Sequence, residues 1–277
     1  MYSFGLEEHR RYSEAEKQAK LGLQKIPQDA WAVHALAHVH EMQKRTDEGI
    51  TAIYETEKDW KDCNYLACHN YWHWSLFHIE LDRPESASSI YESRIGPQAK
   101  KSGNMLDIVD ATSLLYRLDL LFPKKYSGNH WQSLYSVCEP HFEDHILGFN
   151  TVHFTMACLG NDRLEKAEEL LEGFRLIKST GIIKDHWIDI TEQVLQSMID
   201  FKREKYQCSL DRLMAIKNDL LKMGGSDAQR DVFNQLMLVA AVRAGANDVC
   251  RNLLNERQSL RGNDVVVREL IKAMEKC

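Results

Sequence analysis

A small residue recurs at nearly regular steps along this chain, each time early in a segment whose apolar residues repeat with helical spacing. Tyr12-x-x-Ala15 opens one such segment, Asp47-Glu48-Gly49 follows 34 residues later, and Pro84-Glu85-Ser86-Ala87 a further 38 later. Leu164-Glu165-Lys166-Ala167 repeats the arrangement, and Tyr206-Gln207-Cys208-Ser209 and Asn247-Asp248-Val249-Cys250 are weaker copies. A side chain that must stay small at one place in successive helices marks a close helix crossing, where a larger group would force the pair apart. Around these positions the apolar stripe is helical: Ala15, Ala19, Gly22, Leu23 and Ile26 share one face, and Pro27 ends the helix. Strand-like alternation is nowhere sustained. With only 5 Pro and 14 Gly in 277 residues, the chain also lacks the turns of a sandwich or barrel.

The expected fold is therefore all-α: an α-solenoid of stacked antiparallel helix pairs, forming a single domain over residues 1–277. The pairs are expected at about 1–27, 29–62, 64–98, 104–142, 144–178, 185–223 and 227–261. A last helix, 263–277, is expected to cap the stack through its polar run Arg268–Lys276. Pro123–Asn129 and Ser179–Gly181 read as loops, and Gly224-Gly225 as a turn before a helix.

The length of the step and the residues around it resemble the tetratricopeptide-repeat family, whose unit of about 34 residues carries the pattern W-x2-L-G-x2-Y…A…P. Val33, Leu36, Ala37 and His40 match its first helix, as do Tyr71, Trp74, Ser75 and His78, and Thr151, Phe154, Thr155 and Cys158. His40 and His78 stand in place of the family's tyrosine, and only Pro27 stands at the terminal proline. Longer runs add to the likeness: Asp29–Met42, Leu66–Trp74 and Gly224–Gln235. The resemblance implies a cytosolic helical-repeat protein with a tetratricopeptide-like superhelix, a concave groove for a protein or peptide segment, and no established reaction. It also implies that this chain, which opens within a first helix, is the C-terminal part of a longer array.

Charge narrows the partners. Lys+Arg 35 against Asp+Glu 41 leaves a formal −6, so a nucleic-acid partner is not expected. The longest apolar run, Leu236–Val242, is far short of the roughly 20 residues of a membrane span, so no membrane partner is expected. The seven cysteines (63, 68, 138, 158, 208, 250 and 277) are odd in number and irregularly spaced, which suits reduced thiols in the cytoplasm rather than a disulfide framework. No basic, apolar leader opens the sequence. Glycine-rich phosphate loops and the nucleophile-elbow motif are missing, so catalysis is not the expected role. Arg230 is expected to pair with Asp227 or Asp231.

One concentration stands out. Six of the twelve His and four of the six Trp fall between residues 31 and 78. Aligned on Gly49 and Ala87, one first helix presents Trp31, His34, Ala35 and His38, and the next presents His69, Trp72, His73 and Leu76, each set at i, i+3, i+4, i+7 on a single face. In the family this second face lines the groove. A further 38-residue step sets Asp107 opposite His69 and Asp110 opposite Trp72, and Phe149, Val152, His153 and Met156 continue the face in a more apolar form. Three roles suit it: aromatic packing, a recognition groove offering flat rings and cation–π faces, or a metal site. For the last, the two i, i+4 pairs His34/His38 and His69/His73 offer four nitrogens, with Asp107 and Asp110 as support, although Ala35 and Asn70 replace the glutamate of the zincin motif. The expectation is a peptide-binding scaffold whose groove is formed by Trp31, His34, His38, His69, Trp72, His73, Asp107 and Asp110. The alternatives are an all-helical metalloprotein or hydrolase-like enzyme on the same His/Asp cluster, or a self-associating repeat. No cofactor is expected beyond the divalent metal of that alternative.

Overall fold

The computed structural model describes residues 1–181, 187–262 and 264–274. Among these every regular element is helical and no strand occurs. In chain order the helices are α1 (Tyr2–Glu8), α2 (Tyr12–Lys25), α3 (Ala30–Met42), α4 (Thr46–Trp60), α5 (Leu66–Glu80), α6 (Pro84–Ile90), a π-helical turn (Tyr91–Ile95), α7 (Gly96–Ser102) and α8 (Met105–Leu121). They continue as α9 (His130–Cys138), α10 (Gly148–Gly160), α11 (Leu164–Thr180), α12 (Trp187–Lys202), α13 (Tyr206–Ile216), α14 (Asp227–Arg243), α15 (Asn247–Arg261) and α16 (Val265–Met274). The chain groups into two compact units, Met1–Leu114 with Glu256–Arg268, and Leu115–Asn255 with the segment from Glu269.

The first unit is built from helices that pack on their sequence neighbours and on the next helix but one. α3 lies against α2, α4, α1 and α5. It is therefore buried almost all round, from Ala30 through Glu41 with Trp31 the exception. Asp29 starts it by accepting the backbone N–H groups of Trp31 and Ala32 at 3.1 Å, an N-cap that meets two otherwise orphaned donors. Val33, Leu36, Ala37 and His40 are buried as expected of a helix face gripping its partner. The small residues Ala15, Gly49 and Ala87 are buried too. A Cβ added at Gly49 would lie 2.6 Å from the buried ring of Phe77, which explains the absence of a side chain there.

The second unit repeats this logic. α12 packs on α10, α11 and α13, and α13 on α14. Ala167, Ser209 and Cys250 are the buried small residues of α11, α13 and α15. Phe149, Val152, His153 and Met156 are buried as well, so this stretch is core rather than the apolar end of a groove. A capping box of Ser226 and Gln229 starts α14. Gly224 and Gly225, with φ 93° and 77°, make the left-handed turn before it. Arg230 pairs with Asp227, the local acid expected for it.

Residues 182–186, 263 and 275–277, which bear on the expected 185–223 pair and the last helix 263–277, lie outside the described residues. α16 buries Val265, Val266, Val267 and Leu270 and leaves Lys272 exposed. Within the first unit, contacts also join residues far apart in sequence. Here Arg261 Nη1 lies 2.8 Å from Glu41 Oε1, and Lys44 Nζ donates to the Ser259 carbonyl at 2.9 Å.

Gly49→Ala is expected to lower stability by about 1–2 kcal/mol, the overpacking against Phe77 outweighing the gain in helix propensity, as read by urea unfolding. His153 in α10 supplies a pH test. Burial holds its pKa down to about 4, with the Phe149 carbonyl opposing and Arg117 adding to the effect. The unfolded chain takes up this proton below about pH 6.5 while the folded chain does not, so its contribution to stability is lost as the pH falls from there toward 4. His153→Leu is expected to flatten the stability-against-pH curve in this window by up to about 1.4 kcal/mol per pH unit relative to wild type.

Candidate functional site: a buried four-histidine cluster

The first helices of the successive pairs in the first unit meet along one seam. α3 contributes His34 and His38, and α5 contributes His69 and His73. Each pair is spaced i, i+4, so both rings of a helix project from the same side. One nitrogen or other ligating atom from each of the four residues lies within 4.8 Å of the others. His34 Nε2 is 3.0 Å from His38 Nε2 and 3.1 Å from His69 Nε2. The ring of His73 sits 4.5 Å from that of His38 and 4.8 Å from that of His69. All four residues are 5% exposed or less.

Carboxylates stand behind three of the rings. Asp110 Oδ2 on α8 is 2.8 Å from His69 Nδ1. Glu41 Oε2 on α3 is 3.5 Å from His73 Nδ1, and Glu7 Oε2 on α1 is 3.8 Å from His38 Nδ1. A carboxylate only accepts, so Nδ1 of His69 carries the proton and donates it to Asp110. In a neutral imidazole with that tautomer, Nε2 holds the lone pair, and the Nε2 of His69 faces His34. His34 Nδ1 is buried with no hydrogen-bond partner. A neutral imidazole has one proton and one lone pair. A His34 that protonates Nε2 must share that proton between two neighbours and leave Nδ1 unmet.

Electrostatics oppose charge on His34 and His38. Burial lowers the pKa of His34 and His38 well below the usual histidine range, and the surrounding imidazoles lower them further. Burial alone would raise Glu41, but Arg261, His73 and His38 outweigh it and hold the carboxyl down to about 2. Glu80 moves the other way, pushed up to about 8 by burial and by the charge of Glu41. The Cys68 thiol next to the cluster in sequence is pushed far up by burial and then by the Asp110 and Asp107 carboxylates, so it offers no thiolate. Phe4 of α1 closes the seam, its ring 5.0 Å from His34 and 5.1 Å from His38.

Of the eight residues expected on a groove wall, Trp31 alone is exposed, at 38%. His34, His38, His69, Trp72, His73, Asp107 and Asp110 are buried, so they do not line an open groove. Trp72 stacks on His69 at 5.2 Å and donates its indole N–H to Ser113 Oγ at 3.0 Å. The register also differs from expectation. His69 meets Asp110 and Trp72 meets Ser113, both 41 residues on, so the 38-residue step places the acids one turn away. Asp107 accepts from Ser102 at 2.5 Å and Gln98 at 3.3 Å and supports no imidazole. Similarly, His34 faces His69 and His38 faces His73, 35 residues on. Helices that cross at an angle set contacts a turn away from the residues that align in the repeat.

Sequence reasoning passed over Glu7, Glu41 and Arg261. Glu41 lies i+3 from His38 and i+7 from His34, on the histidine face, and was visible in that spacing. Arg261 has no local signal. No protein-family model matches this sequence, and no solved structure is a significant match to its fold.

Arg261→Ala strips Glu41 of its guanidinium and leaves a buried carboxylate behind. It is expected to cost on the order of 3 kcal/mol in urea unfolding, with Arg261→Lys recovering part of the loss.

Proposed function

We propose that this chain is a helical-repeat metalloprotein that holds one divalent ion of the zinc or cobalt kind on His34, His38, His69 and His73. The surrounding architecture is read as stacked helix pairs of the tetratricopeptide-repeat type. The observation that carries the proposal is the meeting of four buried imidazoles with carboxylates behind three of them. Neutral imidazole is the metal-binding form, and a carboxylate on the outer N–H orients the ring and raises its basicity. In a tetrahedral site with Zn–N near 2.0–2.1 Å, neighbouring nitrogens stand about 3.3 Å apart. The closest pairs here, at 3.0 and 3.1 Å, are within a few tenths of that distance. Glu7, Glu41 and Asp110 with Arg261 leave two formal negative charges around the cluster, which one divalent ion balances. An ion would also accept the lone pairs that His34 Nε2 cannot serve with a single proton.

Four protein ligands in a sealed seam leave no open coordination position. This favours a structural ion that clamps α3 to α5 over a hydrolytic centre. The clamp is compatible with a scaffold role in the cytoplasm. For peptide recognition, Trp31 is the single exposed anchor among the residues expected to supply it.

Metal analysis of the purified chain is the test. Close to one zinc per chain is expected, and cobalt loading is expected to give the visible absorption of a tetrahedral nitrogen site. The double variant His38→Ala/His73→Ala is expected to fall below about a tenth of that content. Asp110→Asn, which removes the acceptor behind His69, is expected to weaken zinc binding by about 10–100-fold. Zinc at about 100 times its Kd is expected to stabilise the wild type by about 2.7 kcal/mol. If saturating zinc, cobalt, nickel or copper neither binds nor changes the melting temperature, the imidazoles are core packing and the proposal is wrong.

A further inference from the structure

The first unit contains a cavity of about 340 Å3, a volume within the range of small-molecule sites. It lies between the turn that joins α4 to α5, the first turn of α5, the π-helical turn and α7. Lys61, Arg94 and Lys101 line it, and all three are exposed, so a ligand arriving from solvent reaches them.

These cations are incompletely matched. Among the described residues neither the Lys61 nor the Lys101 ammonium has an ion pair or a hydrogen-bond partner. Arg94 is partly engaged: its Nη2 lies 3.3 Å from Glu57 Oε1, and its guanidinium lies 5.1 Å from the centre of the Tyr71 ring. Asp62 is the one acid in the lining. Asp107 is buried behind Gln98 and already accepts from Gln98 and Ser102. The N-terminal end of α5 adds to the positive side, because Asn64, Tyr65 and Ala67 border the cavity and no side chain caps this helix. Tyr65 has φ 83° and ψ −50°, a conformation that costs a bulky residue energy and that persists where a site needs a fixed backbone. Between the cations the walls are polar, with the amides of Asn64 and Gln98 and the hydroxyl of Ser93.

An ammonium ligand would meet like charge from three side chains here. An apolar ligand would strip water from the lysines and return no hydrogen bond. An anion gains charge-assisted hydrogen bonds from two free ammonium groups, and a dianion uses both at once. Amide and hydroxyl walls suit a ligand body that carries hydroxyl groups.

We propose that this cavity binds a small phosphomonoester with a hydroxyl-rich body, of the sugar-phosphate class. The phosphate sits between Lys61, Lys101 and Arg94, and the hydroxyls meet Asn64, Ser93 and Gln98. The site is independent of the histidine cluster and of its reading as a metal centre.

The test is titration calorimetry on the full chain with glucose 6-phosphate, glycerol 3-phosphate, inorganic phosphate and glucose. Glucose 6-phosphate is expected to bind at least about ten-fold more tightly than glucose, and to weaken as salt is raised. The double variant Lys61→Gln/Lys101→Gln is expected to lose at least about ten-fold in affinity for it. The melting temperature and zinc content of the ligand-free variant are expected to match wild type, because exposed, unpaired lysines hold nothing in the fold. Glucose 6-phosphate is also expected to slow thiol labelling of Cys63, which lines the cavity, and to leave the exposed Cys208 unaffected, as read by peptide mass. The proposal is overturned if none of the phosphates binds at about 10 mM, or if the double variant binds them as well as wild type does. Binding without protection of Cys63 overturns the location. Inorganic phosphate binding as tightly as both esters overturns the hydroxyl-rich body.

Discussion

The first unit is organised around a polar seam inside a helical core. α1, α3, α5 and α8 come together where an ordinary helix bundle would place leucine and valine, and at this point they present imidazoles and carboxylates. Burying polar groups is costly unless each finds a partner. Glu7, Glu41 and Asp110, on three different helices, each stand near a different ring, and Asp110 accepts a hydrogen bond from His69.

A buried carboxylate brings its own demand, and the chain meets it from far away in sequence. Arg261 at the end of α15 reaches Glu41, and its second contact, at 3.4 Å, is with Glu80. The effects on the two acids are opposite, because one is tied directly to the guanidinium and the other lies within reach of the first one's charge. The seam thus forms a layered arrangement: imidazoles at the centre, carboxylates behind them and a guanidinium behind one carboxylate. Under the proposed function, a divalent cation is the group that accepts several of these nitrogen lone pairs at once.

Much of this was legible in the sequence. Helical periodicity and the scarcity of breakers identified an all-helical chain, because burying one stripe per helix needs no information from distant residues. The recurring Ala15, Gly49, Ala87, Ala167, Ser209 and Cys250 marked the close crossings, since close approach excludes a side chain whatever the partner is. The i, i+4 spacing placed His34 with His38 and His69 with His73. Tertiary structure alone decided the rest. Whether the histidine face looked outward to a groove or inward to a seam depended on which helices covered it, and α1 with Phe4 and Glu7 covers it. Crossing angles moved the contacts by a turn, so Asp110 rather than Asp107 serves His69. The approach of Arg261 to Glu41 spans 220 residues. Local spacing follows from the geometry of a single helix, but register between helices and closure by remote segments follow from how whole faces pack, which no short stretch of sequence records.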